Sequence, residues 1–139
     1  MPELTRIASV PSSNTIEVPI LGGTTASYRM SSPFSPVKPT VVLVNSFGTS
    51  ADLYKFQFKN KELTDAVNLL AIEVLGHGKT RTKSQQWTYW DTAQMNLEVL
   101  RELGFKGEIY ALGTSQGGWI VARMALLAPD LVRCSPSKS

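Results

Sequence analysis

A chain of 139 residues with a net charge of +3, 42% hydrophobic and 18% charged residues has the composition of one globular domain, which excludes extensive disorder. Its densest basic cluster, Lys79, Arg81 and Lys83, has no aromatic residues between the charges, so we expect no nucleic-acid partner. The single cysteine, Cys134, excludes an internal disulfide, and no apolar run reaches the roughly 18 residues that span a bilayer; we expect a cytoplasmic protein without a membrane partner.

The N-terminal part is predicted to form a β-hairpin behind a flexible lead-in, residues 1–14. β-Formers alternate along Thr15–Leu21, and Gly22-Gly23 supplies a turn to a returning strand at Thr25–Met30. The run Thr40–Val44 is nearly continuous in apolar β-branched residues, which is typical of a strand buried on both faces. We therefore expect a central parallel strand there.

The next segment is predicted to contain a helix, a strand and a loop. Apolar residues recur near helical spacing from Thr49 to Asn60, and Thr49 or Ser50 is available as a cap. The apolar run Ala66–Leu75 predicts a second buried strand. The polar stretch Lys79–Gln86 has no packing face, so it predicts a loop.

A longer helix is predicted from Thr88 to Leu103. Its apolar residues recur at positions i, i+3 and i+4. Thr88 can cap the helix together with Asp91, and Gly104 can end it.

The last predicted elements are a short strand at Glu108–Leu112 and a helix at Gln116–Leu127, which Pro129 closes. Strands and helices that alternate through short loops imply right-handed crossovers, so the fold class is α/β with a mostly parallel sheet. We assign one domain to residues 15–131 and a disordered tail to residues 132–139.

The turn between that strand and that helix carries the most informative motif, Gly113-Thr114-Ser115-Gln116-Gly117. A G-x-S-x-G pentapeptide between a strand and a helix is typical of an activated serine nucleophile. Small residues on both sides allow the strand and the helix to approach closely, and the first helical turn leaves backbone N–H groups unpaired. Ser115 is therefore the candidate nucleophile, and the Gln116 amide is a candidate oxyanion donor.

Over Thr15–Leu131 the chain resembles the N-terminal half of the α/β-hydrolase family. The segment Val41–Gly48 is similar to the family's strand and oxyanion loop, which usually reads His-Gly-Phe, with Asn45 and Ser46 in place of His and Gly. The resemblance places the Phe47 amide as the second oxyanion donor and implies esterase-like chemistry on a small-molecule ester through an acyl-enzyme. It implies no cofactor and no metal.

The only histidine, His77, lies in a segment similar to the family's Gly-His-Gly loop. We weigh a catalytic base against a loop histidine that bonds nearby backbone, and favour the second, since the family's base follows the serine in the chain. Asp91 is interpreted as a helix-start acid. The aromatic residues around it, Trp87, Tyr89 and Trp90, are interpreted as packing residues.

The resemblance also implies elements that we do not expect after the last helix. In the family, later loops carry the catalytic acid and histidine, and each parallel return needs roughly a dozen residues. Because ten residues follow Pro129, we predict a sheet truncated after that helix and an inactive hydrolase. The strand at Glu108–Leu112 would then be an exposed edge that favours self-association.

The sequence leaves two alternative functions to consider. Gly78-Lys79-Thr80 matches the end of a phosphate-binding loop, but Glu73 stands where that loop needs its first glycine. The second alternative is a non-catalytic hydrolase-like domain that binds a ligand or another chain.

Overall fold

The computed structural model describes residues 10–32, 34–105 and 109–134. Within them, seven strands form one sheet, and four α-helices cover it. The strands are β1 (Asn14–Val18), β2 (Thr24–Met30), β3 (Thr40–Val44), β4 (Asn68–Ile72), β5 (Arg81–Thr82), β6 (Ile109–Gly113) and β7 (Val132–Cys134). The helices are α1 (Lys55–Lys59), α2 (Lys61–Ala66), α3 (Tyr89–Glu102) and α4 (Gln116–Leu127), with 3-10 turns at Ile20–Gly22 and Ala51–Tyr54.

The sheet has the strand order β1-β2-β4-β3-β6-β7, and β5 pairs with β2. β1, β2 and β4 pair antiparallel, whereas β4, β3, β6 and β7 are parallel neighbours. Val44 at the end of β3 lies opposite Ile72 of β4 and Gly113 of β6. The loops that leave these three strands therefore start at the same edge of the sheet, where open α/β sheets bind ligands.

Alternate residues of the central strands fill two apolar layers, as expected for a sheet covered on both faces. Val42 and Val44 belong to the larger layer, which also contains the inner faces of α3 and α4. Leu43 belongs to the smaller layer, together with Tyr54 and Phe58 from the helical segment after β3.

Most predicted elements are confirmed, β3 and α4 with the predicted bounds. The helix predicted over Thr49–Asn60 is a 3-10 turn followed by α1, and a second helix, α2, was not predicted. Asn60 separates α1 from α2 because its backbone is extended (φ −81°, ψ 104°), and its side chain accepts the Leu63 N–H to cap α2. The predicted loop Lys79–Gln86 contains the short strand β5, which pairs with Thr24 and Thr25.

The expectation that no strand follows α4 is wrong. β7 pairs in parallel with β6, Val132 opposite Ile109 and Cys134 opposite Ala111. The physical reason is that α4 is itself the crossover between β6 and β7, so only a tight turn is needed after it. In this turn the Leu131 and Val132 N–H groups both donate to Ala128 O.

β7 also contradicts two further predictions, the C-terminal end of the domain and the exposed edge strand. The disordered tail assigned to residues 132–139 is wrong for residues 132–134, and residues 135–139 lie outside the described residues. The exposed edge predicted at Glu108–Leu112 is covered by β7 along Ile109–Ala111, so β7 is now the outer strand. Glu108 and most of the predicted lead-in, residues 1–9, are likewise not described.

Among the described residues, none of the helices has both the length and the apolar character that crossing a membrane requires.

Candidate active site

Ser115 occupies a strained turn between β6 and α4. Its backbone has φ 54° and ψ −116°, and it is one of two described residues other than glycine with a positive φ. Such a conformation costs about 1–3 kcal/mol and persists only where the surrounding structure enforces it. The Ser115 side chain is exposed at the sheet edge where β3, β4 and β6 end.

Two glycines of the motif enforce this turn because neither position has room for a side chain. A Cβ at Gly113 would overlap the backbone carbonyl group of Gly117. A Cβ at Gly117 would lie 2.9 Å from Val44 C and 3.0 Å from Asn45 O, and closer still to Val44 O. Gly118, by contrast, would bring a Cβ to an ordinary 3.5 Å from the nearest atom. The close approach of β3, β6 and α4 therefore depends on Gly113 and Gly117.

The groups predicted to act in catalysis make no hydrogen bonds within the described part of the chain. The Ser115 hydroxyl makes no hydrogen bond there, and neither the Gln116 nor the Phe47 backbone N–H donates one. Gln116 is the first residue of α4, so its N–H has no partner in the helix. Phe47 lies in the loop after β3 with 78% of its surface exposed. Gln116 and Phe47 line one cleft.

Asn45, which stands in place of the family's usual histidine, holds the loop that carries Phe47. This side chain is 1% exposed and uses both ends of its amide. Its Oδ1 accepts the Val74 N–H at 3.1 Å, and its Nδ2 donates to Ser46 O at 3.2 Å and to Thr49 O at 2.9 Å. The substitution therefore keeps the loop tied to the segment that follows β4.

Glu73 fastens the same loop to the loop of His77, a role that sequence analysis missed. Its buried carboxylate accepts the Ala51 N–H at 2.8 Å and the Lys79 N–H at 3.1 Å. A Cβ at Gly78 would overlap this carboxylate, and the backbone of Gly78 has φ 53°. An anion already occupies the amides that a phosphate would need, so the Gly78-Lys79-Thr80 segment is not a phosphate cradle.

Tyr54 supports the elbow from the opposite side of the sheet. Its hydroxyl donates to Val44 O at 2.7 Å and lies 3.1 Å from the Thr114 hydroxyl. Burial raises the pKa of the Tyr54 phenol above its ordinary value, because the phenolate would lose its hydration. Tyr54 thus joins the end of β3 to the residue before Ser115.

The interpretation of His77 as a loop histidine agrees with its contacts. Its Nδ1 lies 3.0 Å from Leu75 O and donates to it in the tautomer that carries the proton there. Its ring lies edge-on to the Phe47 ring, with 5.5 Å between centres. Asp91 is confirmed as the helix-start acid, since it completes a capping box with Thr88.

A cleft of about 540 Å³ opens beside the elbow. Buried side chains of Val74, Leu75 and Ile120 contribute to its lining, and so do the rings of Phe47, His77, Trp87 and Tyr89. Trp87 and Tyr89, which were predicted to be packing residues, thus also line this cleft. The Trp87 ring packs against the glycine before His77: a Cβ at Gly76 would lie 2.6 Å from Trp87 Cζ2.

Within the described ranges, no three His, Cys, Asp or Glu side chains are grouped as a metal site requires.

Residues 39–135 match the family described as alpha/beta hydrolase fold. Over 93 residues the chain is 29% identical to the dihydrolipoyllysine-residue acetyltransferase component of the acetoin cleaving system of Cupriavidus necator, a match to 67% of this chain and 24% of that protein.

Solved structures of hydrolases are also similar to this chain. A hydrolase from Pseudomonas aeruginosa is 27% identical with a TM-score of 0.74, over 87% of this chain and 44% of that one. A thermophilic esterase from Thermogutta terrifontis shares the fold at 20% identity and a TM-score of 0.74, over 86% and 43%. The chain thus spans less than half the length of these proteins. It belongs to the family of the alpha/beta hydrolase fold.

Proposed function

We propose that these residues are the nucleophile-bearing half of a serine hydrolase with esterase-like chemistry. Ser115 is the nucleophile, and the Gln116 and Phe47 amides stabilise the oxyanion of the tetrahedral intermediate. The observation that carries the proposal is the strained Ser115 backbone, held between two glycines that tolerate no Cβ. A protein gains nothing in stability from such a turn, but the turn presents a hydroxyl beside unpaired amides.

The chemistry needs a base, and the described residues place none within hydrogen-bond distance of Ser115 Oγ. Ser115 Oγ attacks the ester carbonyl carbon, its proton must pass to a base, and the bond to the leaving alcohol then breaks to give an acyl-enzyme, which water hydrolyses. The Ser115 hydroxyl has no hydrogen-bond partner within the described residues. We therefore propose that the 139 residues alone turn over very slowly, because loss of the histidine costs a serine protease roughly 10⁶ in kcat.

Free imidazole tests both statements, since it can replace a missing base. The purified chain is incubated with p-nitrophenyl acetate with and without imidazole, and Ser115→Ala is the control. We expect the two proteins to match without imidazole, and a Ser115-dependent acetyl adduct and nitrophenol release with it. A large Ser115-dependent rate without imidazole would contradict the missing base. Equal behaviour of both proteins under both conditions would contradict the nucleophile.

As a second candidate function, we propose a non-catalytic interaction domain that associates with other copies of itself. The outward face of α4 is apolar, with Trp119 63% and Leu126 72% exposed, and β7 is an outer strand. A helix whose outer face is also apolar is usually covered by another part of a protein. An outer strand can pair with a strand of another chain. Sedimentation velocity tests this: the unmodified chain should sediment as an oligomer, which Leu126→Lys should dissociate and Phe56→Lys, on the other side of the sheet, should not.

A further inference from the structure

The cleft beside Ser115 has walls whose chemistry selects among ligands. We infer that it binds an uncharged aromatic acyl group, placed with its carbonyl oxygen toward the Phe47 and Gln116 amides. This inference rests on the proposed function, because it names the substrate class of the same site. Three properties of the walls support it: their aromatic surface, their lack of charge and the packing of Trp87 against a neighbouring loop.

The aromatic surface is unusual because it is left exposed to solvent. Phe47, Trp87 and Tyr89 are all exposed, yet each lines the cleft. The partly buried His77 ring adds to the same lining and lies edge-on to Phe47. An aromatic ligand would remove this surface from water and gain ring contacts that an aliphatic chain of the same length does not make.

The lining carries no permanent charge. Its polar groups belong to His77, Trp87, Thr88, Tyr89, Thr92 and Gln116, and none of the described lining residues is Asp, Glu, Lys or Arg. The Arg123 guanidinium lies 5.8 Å from the Tyr89 ring centre but is not part of the lining, and it also lies against Trp90 and Trp119. An ionised ligand would lose hydration in this cleft without a partner of opposite charge, so an uncharged one is favoured.

The Trp87 side of the wall packs against the loop that carries His77. Gly76 has φ 76°, and the Trp87 ring occupies the space that a side chain at position 76 would need. The capping box of Thr88 and Asp91 fixes the turn that follows Trp87. A preformed wall loses little conformational freedom on binding and can discriminate by shape. The cleft volume of about 540 Å³ falls in the range of small-molecule sites and accommodates a single substituted ring.

The test measures binding in the Ser115→Ala chain, where no turnover occurs. Three probes are titrated by proton–nitrogen NMR: benzylacetone, a neutral aromatic ketone; cyclohexylethyl methyl ketone, its aliphatic counterpart with the ring saturated and the carbon skeleton unchanged; and hydrocinnamate, an aromatic carboxylate. We expect benzylacetone to bind about fivefold more tightly than the aliphatic ketone and about tenfold or more than the carboxylate. The amide signals of Phe47 and Gln116 should shift.

Two variants in the same background locate the effect. Trp87→Leu should weaken benzylacetone about fivefold and leave the aliphatic ketone unchanged. Phe56→Leu, at an exposed aromatic residue outside the cleft and on the other side of the sheet, should change neither. Equal affinities for the three probes, tighter binding of the carboxylate, or equal effects of the two variants would each overturn the inference.

The comparison of the three probes in Ser115→Ala alone tests the inference even if the additional Trp87→Leu substitution prevents folding. Because this experiment involves no chemistry at Ser115, its failure is distinct from failure of the imidazole experiment.

Discussion

Replacement of Gly117 by alanine tests the geometry of the elbow, because two opposing effects act at that position. Alanine favours a helix over glycine by about 1 kcal/mol. Against this gain, a Cβ at position 117 would lie 2.9 Å from Val44 C and 3.0 Å from Asn45 O. Both atoms belong to backbone at the end of β3, which also holds Thr114 through a hydrogen bond of 3.3 Å to Val44 O. The overlap can be relieved only if backbone moves.

Overpacking of this kind costs about 1–3 kcal/mol or more, and here it must first exceed the helix-propensity gain. We expect Gly117→Ala to lower the free energy of unfolding by about 2 kcal/mol, measured in urea by tryptophan fluorescence. The matched control is Gly118→Ala, one residue later in the same helical turn, where the Cβ meets only Gly113 O at 3.5 Å. That variant should gain about 0.5–1 kcal/mol. If both variants change stability in the same direction, the close approach of α4 to β3 is refuted.

Three further predictions concern the residues that hold the loops. Glu73→Gln should cost about 1–3 kcal/mol in urea unfolding, because one carboxylate oxygen that accepts a backbone N–H becomes a donor; an unchanged midpoint would refute it. Asn45→Ala should cost about 2 kcal/mol or more, since three hydrogen bonds are lost, and amide exchange should show the loss at Val74. Burial raises the pKa of Tyr54, so its contribution to stability should be full below the ordinary tyrosine value of about 10 and fall as the pH rises further. Urea midpoints at increasing alkaline pH should fall less in Tyr54→Phe than in the parent, and parallel curves would contradict the buried hydroxyl.

The sequence predicts those parts of the fold that local chemistry determines. The continuous β-branched run Thr40–Val44 gives β3, and the capping box at Thr88 gives the start of α3, because neither depends on distant residues. β7 could not be predicted in the same way: its three residues have no periodicity, and only pairing with β6 makes them a strand. The division between α1 and α2 depends on the cap at Asn60, which the helical spacing around it conceals.

The candidate site likewise combines residues that motifs predict with residues that only the fold brings into contact. Ser115, Gln116 and Phe47 follow from motifs, and the structure brings all three to one edge of the sheet. The contributions of Glu73 and Asn45 could not be foreseen, since their carboxylate and amide bond backbone groups that are distant in sequence. The aromatic lining of the cleft depends on contact between Trp87 and Gly76, which sequence spacing does not reveal.

The central proposal is that Ser115 is a nucleophile for which the described residues provide no base. Intact-mass and peptide analysis of the chain after p-nitrophenyl acetate and imidazole tests it most directly. We predict one acetyl group on the peptide that contains Ser115, absent from Ser115→Ala and absent without imidazole. Acetylation spread over lysines alone, equal in the two proteins, would contradict the claim.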